Sequence, residues 1–144
     1  MLTSAIGKIE RRDLQSRIRV AHGDATTFDP QPMFGLPAFD HVMISYSLSM
    51  IPNWQGVLAR AAASLKPGGR LHVVDFGNQA QLPRIARSLL RQWLALFDVT
   101  PRDNLEAALR RLAEAHGATL RFERPFRSYA QSGVLTFPAE PAAR

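Results

Sequence analysis

The run Phe39 to Ile44 (FDHVMI) and the run Leu71 to Val74 (LHVV) are short, apolar and rich in β-branched residues. Between them Trp54, Val57, Leu58, Ala61, Ala62 and Leu65 recur at helical spacing. Strand, helix, strand in that order constrains this chain more than any other feature. A strand that rejoins its sheet in parallel needs a long crossover, almost always right-handed and usually helical. Runs that are continuously apolar suit strands covered on both faces. Asn53 stands where an N-cap belongs, and Lys66-Pro67-Gly68-Gly69 closes the helix, since proline cannot continue the ladder and glycine tolerates left-handed backbone.

The rest of the chain extends the alternation. Leu2, Ala5, Ile6 and Ile9 predict a first helix, and Arg17 to His22 (RIRVAH), with Ile18 and Val20 at period two, predicts a strand. A Gly23-Asp24 turn follows, then a stretch with Pro30, Pro32, Gly35 and Pro37 that reads as loop. Leu82, Ile85, Leu89, Trp93 and Phe97 form a second helical stripe after Leu71 to Val74, and Leu105, Ala108, Leu109 and Leu112 a third, ending near Gly117. Leu120 and Phe122 alternate with charged residues, and Tyr129 to Phe137 supplies a partner strand across a turn at Pro125 to Ser128. The expected fold is a three-layer α/β sandwich with a mainly parallel sheet and an antiparallel carboxyl-terminal hairpin. Residues 138–144 read as a frayed tail. Ligands of such sheets sit outside the carboxyl ends of the strands. The segments to interrogate are therefore Gly23-Asp24-Ala25, Ser45 to Met50, and Asp75-Phe76-Gly77.

Composition removes several function classes. The 144 residues fit one core, and zero cysteines exclude disulfides and thiolate chemistry. No apolar run approaches the roughly 20 residues of a membrane span, and the first residues lack a signal-peptide core, so a soluble cytoplasmic protein is expected. The net charge of +6 comes from 16 arginines and only two lysines, Lys8 and Lys66. Arg11-Arg12 and Arg110-Arg111 have acidic neighbours and read as solvated helix faces, and no basic stretch is interleaved with aromatics, so nucleic acid is not an expected partner. The four histidines are dispersed, which suits packed imidazoles better than metal ligands. Asp75-Phe76-Gly77 spells the kinase metal-binding triplet without its companion motifs, and no nucleophile elbow or phosphate-binding loop occurs.

H-G-D-A at 22–25, F-D-H-V-M-I-S-Y-S-L-S-M-I-P at 39–52 and L-K-P-G-G-R-L-H-V-V-D-F-G at 65–77 together resemble the class I S-adenosylmethionine-dependent methyltransferases. The S-Y-S-L-S-M-I-P segment is similar to the betaine-lipid and phospholipid N-methyltransferase branch, with quinone-biosynthesis methyltransferases as near relatives. The resemblance runs from residue 1 to about 137. It implies S-adenosylmethionine as cofactor, with Asp24 accepting from the adenine amine, Ala25 beside it, and Ser45 and Tyr46 passing under the methionine portion. For the methyl acceptor it implies Tyr46, Met50 and Asp75. An aromatic face suits a quaternary ammonium as it develops. Plain structural roles stand beside these: a turn carboxylate for Asp24, a packed ring for Tyr46, a cap for Asp75.

The chain also departs from that family. No G-x-G turn to cradle the carboxypropyl end occurs, nor the strand ending in an acid that holds the ribose, and the sequence starts directly on a helix. Residues 1–137 therefore read as the carboxyl-terminal portion of a methyltransferase domain, with Met1 in the place of an internal methionine. Two strands would be missing between the strand at 17–22 and that at 39–45, leaving an apolar edge at Val42 to Ile44 open to association. Cofactor binding by this polypeptide is expected to be weak or absent. The function expected is methyl transfer to a small molecule or lipid headgroup, an amine by preference. A non-catalytic remnant or partner subunit, and an α/β dinucleotide-binding module, remain as alternatives. The stripe from Leu82 to Phe97 reads either as sheet-packing or as peripheral contact with anionic lipid.

Overall fold

The computed structural model describes residues 2–77, 85, 88, 89, 92 and 102–139. Strand β1 (Phe39–Ser45) leads through a 3-10 turn at Leu48–Met50 into helix α3 (Trp54–Ala63) and back into strand β2 (Leu65–Phe76). The two strands are parallel, as the strand-helix-strand pattern requires. Asn53 caps α3, its side chain accepting from the Gly56 amide at 3.3 Å. Phe39 pairs with Leu65, but His41 pairs with Arg70, so residues 66–69 bulge out opposite Asp40. Gly68 turns that bulge with φ +76°, and Lys66 Nζ closes it by donating to both Asp40 oxygens at 3.0 Å.

Helix α4 (Leu105–His116) ends on Gly117 and leads into β3 (Thr119–Glu123), a short helical turn α5 (Pro125–Ser128) and β4 (Ala130–Thr136). β4 runs antiparallel to both β2 and β3, giving the order β1-β2-β4-β3. The hairpin is therefore folded inward, with its second strand against the parallel pair. Leu71 and Val73 of β2, Ile44 of β1 and Leu135 of β4 share one face. On it pack Val57, Leu58 and Ala61 of α3 and Leu105, Ala108, Leu109 and Ala113 of α4. Each such leucine fully buried contributes about 1.5–3 kcal/mol. On the opposite face Met43 is 70% exposed, and His41 lies beside His72 with ring nitrogens 3.3 Å apart.

Two expectations are corrected. Residues 17–22 form no strand: after helix α1 (Leu2–Glu10) the Arg17 and Ile18 amides donate to the Leu14 carbonyl in a turn, and the rest of the segment runs without a ladder. Alternating apolar residues make a strand only where a neighbour supplies hydrogen bonds, and no described strand lies beyond β1 to supply them. The proline-rich stretch is not all loop, because Pro30–Phe34 forms a short helix, α2. Pro30 occupies the first helical turn, where its missing N–H costs nothing, and the Asp29 carboxylate accepts from the Gln31 amide at 3.0 Å. The unpaired edge of β1 is present as expected among the described residues. Of the stripe from Leu82 to Phe97 only Ile85 and Leu89 are described, and they are 77% and 63% exposed. Pro138 is tied to the sheet, its carbonyl accepting from the Gly68 amide at 2.9 Å, while 140–144 lie outside the described residues.

Candidate active site

A pocket of about 240 Å³ opens beside the carboxyl half of β1. Its floor is Val42 and Ile44 of β1 with Val57 and Ala61 of α3; Gly23, Asp24 and Ala25 form one rim, and Phe28, Met33 and Phe34 the roof. The volume lies below the roughly 300–1,000 Å³ of pockets that bury a whole drug-sized ligand, so it has room for only part of one. The roof is itself packed: Phe28 stacks on Phe39 at 5.9 Å, and Phe34 meets Phe39 edge-on at 6.3 Å.

Asp24 is the polar feature of this otherwise apolar slot. One carboxylate oxygen, Oδ1, accepts from the Thr26 amide and from the Thr26 hydroxyl, both at 2.7 Å. Those bonds hold its pKa below the ordinary carboxylate range, so Asp24 is an anion at neutral pH. The same bonds fix the rotamer through Oδ1, on a residue that lines the pocket. Asp24 and Ala25 are thus brought together with β1, though the segment carrying them is not a strand.

The second half of the site lies past the ends of β1 and β2. Ser45 is the last residue of β1 and Tyr46 the first beyond it. Tyr46 adopts left-handed backbone (φ 48°), held by its amide donating to the Val74 carbonyl at 2.8 Å. For a non-glycine residue that conformation costs roughly 1 kcal/mol or more and marks a position fixed by its surroundings. The turn swings the Tyr46 ring against Phe76 at 5.0 Å, and Phe76 meets Tyr129 edge-on at 6.0 Å. Tyr129 is held close because the Gly77 amide donates to its carbonyl at 2.7 Å, and a Cβ at Gly77 would collide with the Ser128 carbonyl oxygen. The result is an aromatic wall with exposed Met50 at the end of the neighbouring 3-10 turn.

Asp75 does not face that wall. It is fully buried, Oδ2 accepting from the Ser49 amide at 3.0 Å and Oδ1 from the Phe76 amide at 2.7 Å. Of the roles weighed for it, this geometry is that of a cap on the loop after β1. The carbonyl side of the same loop is held by Arg102, whose Nε donates to Leu48 O at 3.1 Å and Nη2 to Ile51 O at 2.8 Å. Gln131, also buried, donates to the carbonyls of Phe76 and Arg102 at 2.8 and 2.9 Å. Sequence reasoning passed over Arg102, Gln131 and the roof residues Phe28, Met33 and Phe34. Only Asp29-Pro30, a helix-start pair, signalled that the roof has structure of its own. Among the described residues no group of three or more metal-ligating side chains occurs, and no helix is long and apolar enough to cross a membrane.

The four-stranded mixed sheet, with its helical crossover and inward-folded hairpin, has the Rossmann-like α/β fold of known methyltransferases. Residues 1–98 match the ubiE/COQ5 methyltransferase family, and the chain belongs to it. Solved structures agree on the fold. An O-methyltransferase family protein from Burkholderia thailandensis is 16% identical, with a TM-score of 0.72 over 96% of this chain and 41% of its own. Haemonchus contortus phospholethanolamine N-methyltransferase 2, in complex with phosphomonomethylethanolamine and S-adenosylhomocysteine, is 15% identical, with a TM-score of 0.71 over 96% and 41%. An O-methyltransferase family 2 protein from Planctomyces limnophilus, in complex with apigenin, is 23% identical, with a TM-score of 0.65 over 94% and 39%. The chain thus spans about two-fifths of the length of each. No curated protein sequence matches it significantly.

Proposed function

We propose that this chain carries the adenine-binding and acceptor-facing part of an S-adenosylmethionine-dependent methyltransferase, and that the acceptor is a small or lipid-borne amine. The observation that carries the reading is the Asp24 carboxylate at the rim of the apolar pocket, one oxygen fixed by Thr26. A purine with an exocyclic amine needs this combination: apolar surfaces for its faces and a fixed acceptor for its N–H. The fit extends to the base and stops there, since no described residue supplies the glycine turn or the ribose-binding acid.

When bound, S-adenosylmethionine would supply an electrophilic methyl group on a sulfonium, open to in-line attack by an acceptor lone pair, with the C–S bond breaking and the neutral thioether leaving. The residues of this chain contribute placement and exclusion of water. Asp24 Oδ2 accepts from the adenine amine, with the Ala25 backbone alongside. Ser45 and Tyr46 form the surface between the base pocket and the acceptor. Tyr46, backed by Phe76 and Tyr129, offers ring faces to the positive charge that builds on the nitrogen, a contact of about 0.5–2 kcal/mol. Met50 lines the same mouth, and Asp75 acts on the acceptor by fixing the loop that holds Tyr46 and Met50. That the Haemonchus structure holds a phosphomonomethylethanolamine supports an amine.

The test is a titration of isotope-labelled protein with adenosine and with inosine, followed by amide chemical shifts. Adenosine should move Gly23 to Ala25, Val42 and Ile44. Inosine, which carries a carbonyl in place of the amine, should bind at least fivefold more weakly, because an acceptor facing an acceptor costs about 1–3 kcal/mol. Equal binding of the two would remove Asp24 from the reading.

A further inference from the structure

Among the described residues the roof of the pocket meets the sheet through the Phe39 ring and makes no backbone hydrogen bond to it. Residues 28–34 cross over β1 and α3 as a short segment whose own hydrogen bonds are local: Asp29 caps Gln31, and the Gly35 amide donates to Gln31 O at 2.8 Å. Two arginines from other parts of the chain grip its ends. Arg60, on the last turn of α3, donates Nε to the Phe28 carbonyl and places Nη2 3.4 Å from the Asp29 carboxylate. Arg19, from the irregular segment before Asp24, donates Nη1 to the Phe34 carbonyl at 2.8 Å, and its guanidinium lies 5.6 Å from the centre of the Phe34 ring. Both carbonyls belong to the phenylalanines that roof the pocket. A guanidinium presents several donors in a fixed plane, so one side chain can satisfy a carbonyl and a carboxylate together, which a lysine ammonium does not do in one geometry.

Resting on the adenine reading of this pocket, we infer that Arg60 and Arg19 are positioning residues that strap the Phe28–Phe34 roof over the base. Neither touches the slot; each acts through the main chain of a residue that does. Arg60 fixes the amino-terminal end of α2 by its carbonyl and its cap at once. Arg19 couples the roof to the strip of chain that carries Asp24, so roof and acceptor are set together. Part of the arginine excess in the composition has this structural use.

The experiment compares amide exchange and adenosine titration in the wild-type chain and in Arg60→Lys, Arg60→Ala and Arg19→Ala, all observed by NMR. Gln31 and Gly35 should exchange at least tenfold faster in all three variants, while Leu71, Val73 and Leu135 in the sheet keep their protection. The adenosine midpoint should rise at least tenfold in both alanine variants, and Arg60→Lys should recover less than half of that loss. Arg19 is exposed, so its variant carries little risk to folding. Unchanged exchange at Gln31 and Gly35, or an equal acceleration throughout the sheet, would overturn the strap. Local acceleration in a protein whose wild type shows no shift with adenosine would leave the strap in place and remove the adenine reading.

Discussion

Replacing Asp75 separates two roles that its position at the end of β2 allows. If the carboxyl reaches a ligand, its removal changes binding and leaves stability alone. In the structure it is fully buried and satisfies the amides of Ser49 and Phe76, at 3.0 and 2.7 Å. The last β1–β2 pair is Ser45 with Val74, so Phe76 lies beyond the ladder and its amide finds the Asp75 side chain instead. A buried N–H left without a partner costs about 1–3 kcal/mol, so Asp75→Ala, which orphans two, should cost about 2–6 kcal/mol. Asp75→Asn keeps one acceptor oxygen but turns an NH₂ toward the other amide, for about 1–3 kcal/mol. At about 3 °C per kcal/mol for a chain of this size, the asparagine variant should melt roughly 3–9 °C below wild type and the alanine variant further. Thermal unfolding by circular dichroism measures this, with amide exchange at Ser49 as the local reporter. An Asp75→Asn protein that melts with wild type and keeps Ser49 protected would refute the capping role and return Asp75 to the acceptor.

Arg102→Ala should release Leu48 O and Ile51 O, lowering stability by about 2–4 kcal/mol and accelerating exchange at Met50 and Ile51, with Arg102→Lys recovering only part. Glu106 bonds Arg110 at 2.7 Å and Arg124 at 2.5 Å, and the Arg110 hydrogen bond heads the causes that hold its pKa below 4.5. A depressed carboxylate contributes stability above its unfolded pKa and loses it as pH falls through the folded one. Wild type should therefore lose more stability than Glu106→Gln on acidification below about pH 4.5, read by denaturant melts across pH. Met43, exposed beside the open edge of β1, should favour self-association; sedimentation velocity should show less concentration dependence for Met43→Lys.

The crossover from β1 through α3 to β2 was legible because each of its signals is local. The apolar runs and the Asn53 cap act within a few residues of themselves, and the backbone follows; Lys66-Pro67-Gly68-Gly69, expected to stop the helix, instead forms the bulge inside β2, the helix having ended at Ala63. The same holds for α4 up to Gly117 and for the β3–β4 hairpin. Residues 17–22 carried an equally clear alternation and formed no strand, since pairing depends on a neighbour the segment does not contain. α2 was missed for the opposite reason: two prolines and a glycine read as loop, although Asp29 and Pro30 in sequence are a good helix start. Asp24 and Tyr46 drew attention by the positions they occupy after strand-like runs, and the structure puts one on the pocket beside β1 and the other just past its end. Arg60, Arg19 and Arg102 carry no such mark, because what they do depends on which distant carbonyls they meet.

By itself the sequence determined the strand-helix-strand crossover, the helix before Gly117 and the hairpin, all consequences of periodicity and capping over short range. Tertiary structure alone decided which face of β2 is core, that β4 lies inside β3, and that Asp75 turns inward to the backbone while Tyr46 turns outward to the wall. Those outcomes rest on hydrogen-bond partners and packing surfaces brought together from 26 to 55 positions apart. A side chain's role there is set by the group opposite it, and no local pattern encodes that group.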